Sequence, residues 1–110
     1  NKRITSRVGT TASSASLTIA SDSYDRYTIT ALAADMTINN PSGTPTDGQT
    51  LLIRIKDNGT ARALTWSGSQ FRVIGVTLPT TTVISKTVYI GLIWNSADSK
   101  WDVVSVNQEA

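Results

Sequence analysis

Cysteine and histidine are both absent from the 110 residues of this chain. Without a thiol it forms no disulfide, gives no thiolate to a metal and has no thiol nucleophile. Without an imidazole it lacks the commonest general base and metal ligand. Glutamate occurs once, as Glu109, so one strong helix former is nearly missing. No apolar stretch approaches the roughly 20 residues that span a bilayer as a helix. The start shows no signal-peptide pattern, and membrane insertion is not expected. The first residue is not Met, as expected of a processed product or of a piece of a longer polypeptide.

Charge of one sign is also lacking. Ten basic residues face eight acidic ones, and the basic ones are scattered. Only Lys2, Arg3 and Arg7 form a loose cluster, which a solvated terminus explains. A nucleic-acid surface is therefore not indicated.

What the chain does have is threonine and serine, together more than a quarter of its residues, with apolar residues weighted to Val, Ile and Leu. That is β-sheet composition, with Thr on the wet faces and branched aliphatics on the dry ones. Residues 1–15 are small and polar and read as a linker or N-terminal arm, with a short strand at Arg3–Val8. Residues 16–110 read as a single domain, the size being that of one ordinary core. Alternation predicts strands at 17–20, 24–31 and 36–38, with a single helical turn at 32–34. The run Asn39–Pro45 is a loop by its prolines and glycine.

A long β-type stretch follows from Thr46 to Trp66. Ile53 and Ile55 alternate with Arg54 and Lys56; beyond Asp57-Asn58-Gly59-Thr60, Arg62, Leu64 and Trp66 alternate with Ala61, Ala63 and Thr65. Asn-Gly between such runs predicts a tight β-hairpin with positive φ at Gly59. Further strands are expected at 71–74, 88–94 and 101–106. Val88–Trp94 is apolar on both alternating faces, which predicts a central strand covered on both sides. The fold class expected from these signals is all-β, an antiparallel β-sandwich or jelly-roll-like domain of about eight or nine short strands.

No catalytic constellation is visible, and no enzyme activity is expected. Asp22 with Asp25, and Asp98 with Asp102, are pairs in or beside loops. They lack the alternating pattern of a calcium loop and read as turn-capping residues. Asp102 beside Trp101 has no partner for paired-carboxylate hydrolysis. Ser85 and Lys86 are adjacent and point to opposite faces, so no Ser–Lys nucleophile is set up. Cofactors and metals are expected to be none. Among the aromatics, Tyr89, Trp94 and Trp101 are the candidate contacts for a subunit interface or a glycan, since aromatic rings serve both. A coplanar exposed pair of rings would mark a sugar platform.

Four phrases carry a resemblance: Pro41–Gln49, Arg54–Arg62, Leu78–Val83 and Asp98–Val104. In this order and spacing they resemble a domain at the C-terminal end of structural proteins of tailed bacteriophages, and the resemblance spans roughly residues 3–110. It implies a virion component without enzymatic activity: the knob of a head or tail fibre, or a capsid decoration protein. Resemblance to fibre domains makes a homotrimer the leading arrangement, while decoration proteins are also found as monomers or dimers. The expected partners are other virion proteins, capsid or fibre shaft, and the expected action is assembly on the particle with weak attachment to host surface glycans. The alternative from another class is a carbohydrate-binding module without catalytic activity.

Overall fold

The computed structural model describes residues 7–110. The Lys2–Arg3 cluster and most of the strand expected at Arg3–Val8 lie outside the described residues. Within them the chain forms nine strands and no helix: β1 (Val8–Thr11), β2 (Ser16–Leu17), β3 (Arg26–Leu32), β4 (Met36–Ile38), β5 (Thr50–Asp57), β6 (Leu64–Trp66), β7 (Phe71–Val73), β8 (Val88–Asn95) and β9 (Lys100–Gln108). They make two sheets, one of six strands in the order β1-β3-β5-β8-β9-β7 and one of three in the order β2-β4-β6.

The first six strands alternate between the sheets. Odd strands enter the large sheet and even strands the small one, each parallel to its predecessor in that sheet. Parallel neighbours need a long crossover, and here each crossover is itself a strand of the opposite sheet. The chain thus coils, stacking like on like: Ile29 beside Ile55, and Leu17 beside Ile38. The corners stack too, with the Thr37 N–H donating to the Ala15 carbonyl and the Ser67 N–H to that of Ile38. The last third breaks the pattern. β8 and β9 form an antiparallel hairpin laid against β5, and β7 runs parallel to β9 at the far edge.

One core serves both sheets. Leu17, Met36, Ile38 and Leu64 of the small sheet join Ile29, Ile53, Ile55, Ile90, Leu92, Trp101 and Val103 of the large one in a single buried cluster. Full burial of each such aliphatic side chain is worth about 1.5–3 kcal/mol, and this shared cluster holds the coil closed. The outward face of the small sheet is polar. There Asn39 Nδ2 donates to Ser16 Oγ and Thr18 Oγ1 at 3.0 and 3.1 Å, and Ser67 Oγ donates to Asn39 Oδ1 at 2.9 Å.

Several expectations are corrected. The sheets are mixed rather than antiparallel, five strand pairings being parallel and two antiparallel, so the antiparallel connectivity of a jelly roll does not describe the chain. Asp57–Thr60 is not a hairpin, because β5 and β6 belong to different sheets. Gly59 does have φ 100°, but Asn58 lacks the positive φ that a type I′ turn needs. Instead the Asp57 carboxylate accepts the Gly59 N–H at 3.0 Å, turning the chain toward the other sheet. The expected arm contains β1, paired with β3. The expected helical turn at 32–34 is the end of β3 followed by a bend. Finally, β8 is central but covered by this chain on one face only, with Tyr89 and Ile93 each 38% exposed.

Candidate functional site

The outward face of the six-stranded sheet gathers the side chains left over from core building. Alternation along β5 and β8 sends Ile53, Ile55, Ile90 and Leu92 inward and Leu52, Arg54, Lys56, Tyr89 and Ile93 outward. Leu52 lies opposite Gly91, and Gly91 opposite Ser105. On β9 one residue is inserted in the register between the partners of Gly91 and Leu92. This bulge turns Val104 outward, where it is 41% exposed. With no side chain at Gly91, a trough of about 270 Å³ opens between Leu52, Ile93 and Val104, rimmed by Asp25, Arg26 and Thr50.

One step along the strands lies a second recess of about 210 Å³, lined by Thr28, Thr30, Arg54, Lys56, Thr87 and Tyr89. Thr28, Arg54 and Tyr89 form one cross-strand row. Arg54 Nε donates to Thr28 Oγ1 at 2.9 Å, which fixes the guanidinium across the row.

Carboxylates at the edges of this face are already engaged. Arg72 grips Asp102 with Nε and Nη2 at 2.7 and 3.1 Å, and donates from Nη1 to Asp98 at 3.0 Å. Hydrogen bonding from Arg72 holds the Asp102 carboxyl below the ordinary carboxylate range. Arg7 pairs with Asp25 at 2.9 Å and also donates to the Asp22 carbonyl. The Arg7 side chain and backbone N–H together bring Asp25 down to about 2. The aspartates read from the sequence as turn caps thus include three held in ion pairs. Among the described residues, no group of three or more acidic side chains is placed to hold a metal ion. Nor is any helix there long and apolar enough to cross a membrane.

Two of the candidate aromatics meet, and the third, Tyr89, stands apart from them. Trp94 and Trp101 face each other across the β8–β9 hairpin, with ring centroids 5.3 Å apart and planes inclined at 57°. Trp101 is only 1% exposed and serves the core. Trp94 is half-buried beside Asp47, Gly48 and Asp102. Tyr89 stands alone on the outward face. The pairs Tyr24–Tyr27 and Trp66–Phe71 meet edge-on, at 75° and 84°, so none of these pairs forms a coplanar platform. Arg54, Lys56 and the threonines beside them were not singled out from the sequence. Their only signal there is the alternation of Arg54 and Lys56 with Ile53 and Ile55. No protein-family model, curated protein or solved structure matches the chain.

Proposed function

We propose that this chain is a non-enzymatic structural domain of a tailed-bacteriophage virion, a fibre knob or capsid decoration domain that works by assembly. The virion reading, with capsid or fibre-shaft proteins as partners, rests on the sequence resemblance. The observation that carries the assembly reading is the outward apolar trough of Leu52, Ile93 and Val104 beside Gly91 on the central strand. A domain of this size needs only one buried face per sheet, yet β8 is apolar on both. Contiguous apolar surface in the middle of a sheet face marks a contact site. We read the two sheets as the layers of a sandwich, closed on one side by the shared core and on the other by a neighbouring subunit. The arrangement proposed is a homotrimer, each subunit burying at least the ~800 Å² of a standard interface.

Sedimentation at micromolar concentration tests this. A trimer that Ile93→Lys disperses to monomers supports the reading, and a purely monomeric parent chain overturns it. The alternative, a carbohydrate-binding module without catalysis, has one observation in its favour, the exposed Tyr89 ring in the Thr-lined recess.

A further inference from the structure

Beside the paired Arg72, the same outward face carries Arg26, Arg54 and Lys56, three cations that form no ion pair among the described residues. The ion pairs found there use Arg7 and Arg72. Two of the three cations converge on the recess beside Tyr89. We propose that Arg54, Lys56 and Tyr89, with Thr28, Thr30 and Thr87, form a binding site for an anionic saccharide, a sugar unit carrying a carboxylate among its hydroxyls. The proposal goes beyond virion assembly and does not depend on the oligomeric state.

Each part of such a ligand has a counterpart in the recess. The Arg54 guanidinium spends Nε on Thr28, and neither Nη has a partner among the described residues. Four N–H donors remain, and one from each Nη lies parallel to the other, the geometry that takes a carboxylate bidentately. Lys56 lies two residues further along β5 on the same face and adds a point charge. The Thr28, Thr30 and Thr87 hydroxyls can both donate to and accept from sugar hydroxyls. The ring of Tyr89 offers an apolar face for the C–H side of a pyranose and a hydroxyl at its tip. The row Thr28–Arg54–Tyr89 crosses three strands about 4.8 Å apart, and the recess of about 210 Å³ has room for one sugar unit.

The rim already holds one anion. Glu109 accepts the Thr87 N–H at 2.7 Å, and its carboxyl is kept below the ordinary range first by that bond, with smaller help from the charges of Lys56 and Lys86. An anionic ligand would share Lys56 with this side chain. A nucleic acid fits less well, since it asks for a continuous basic track and several stacking rings. Here the cations free of ion pairs are three, and Tyr89 is the one outward ring in the recess.

The test is calorimetric or NMR titration of the full chain with trigalacturonate, using maltotriose as the neutral counterpart. Trigalacturonate should bind, and maltotriose should not. Arg54→Gln or Lys56→Gln should weaken binding about tenfold, the scale of one charge-assisted contact. Glu109→Gln should strengthen it, and added salt should weaken it. Unchanged near-UV circular dichroism and sedimentation in Arg54→Gln would separate loss of the site from loss of fold or assembly. The proposal is overturned by no binding of trigalacturonate, by equal binding of maltotriose, or by full affinity in both Gln variants. Tighter binding of a short single-stranded oligonucleotide would also overturn it.

Discussion

Thr82 donates its hydroxyl proton to Asp57 Oδ2 at 2.6 Å, fastening the loop before β8 to the end of β5. Asp57 is 2% exposed, and its other oxygen accepts the N–H groups of Gly59 and Ser85 at 3.0 and 2.9 Å. The same Thr82 oxygen accepts the Arg62 N–H at 2.9 Å. One buried hydroxyl therefore joins the corner between the sheets to the loop packed over it. Thr82→Val preserves the shape while leaving both partners unsatisfied, and should cost about 2–4 kcal/mol. Thr82→Ser should recover most of that. Urea unfolding of the two variants measures the difference, and an unchanged midpoint in Thr82→Val would refute the fastening role.

Acid should loosen the fold through its lowered carboxylates, Asp57 and Asp25 beside Asp102 and Glu109. Burial alone would push Asp57 up, but the hydrogen bonds from Thr82, Ser85 and Gly59 outweigh it and leave the group below its ordinary value. Asp25 lies at about 2, chiefly through its hydrogen bonds from Arg7. All four are lowered in the folded state. Their contribution is thus complete above the unfolded carboxylate value of roughly 4 and is lost as pH falls through the folded values. Stability should be level from neutral pH to about 5 and then decline toward pH 2. Urea midpoints across that range check this, and Asp57→Asn should flatten the decline while lowering stability at neutral pH.

Gly59 sits at φ 100° with open space where a side chain would point. Strain is therefore the only cost of a substitution there. Gly59→Ala should destabilise by about 1–2 kcal/mol, and Gly59→Val by more, because its branched side chain is stiffer. Thermal melts of the two variants give the ranking. Equal melting temperatures for the parent and Gly59→Val would show that the backbone at this corner relaxes.

Gly91 is a different case, governed by contact. A Cβ there would meet Ser105 Oγ at 2.6 Å, whereas Ser105 Cβ is 3.8 Å away. Gly91→Ala should therefore destabilise the β8–β9 pairing, and adding Ser105→Ala should restore most of the loss. A double-mutant cycle by chemical denaturation reads the coupling, expected at about 0.5–3 kcal/mol. Additive effects would mean that the hydroxyl simply rotates aside.

The strands were legible from the sequence because alternation depends on local order. Ile53 and Ile55 inward with Arg54 and Lys56 outward is the pattern that β5 displays. Pairing was not legible, because it is decided by the shared core. Asn58-Gly59 is a strong local hairpin signal, yet Leu64 and Trp66 contribute more by closing the cluster beside Met36 and Ile38 than by lying back on β5. The Arg72 clasp on Asp98 and Asp102 was hidden for the same reason. A parallel pairing of β7 with β9 brings Arg72 beside Asp102, and nothing near either residue in the chain announces it. The recess around Tyr89 needed three strands to be placed before its threonines and cations stood together.

The outward trough yields the last expectation. Ile93 and Val104 are exposed on either side of Gly91 and make no essential contribution to the core. Val104→Lys should consequently leave monomer stability within about 0.5 kcal/mol of the parent, as is usual for surface changes. In an assembled oligomer the same charge would be buried without a partner, at a cost of several kcal/mol per subunit. Sedimentation and unfolding measured on one sample distinguish the two effects. Dissociation with an unchanged monomer unfolding midpoint supports a subunit contact at the trough. Retention of the parent's oligomeric state would move the contact to another face.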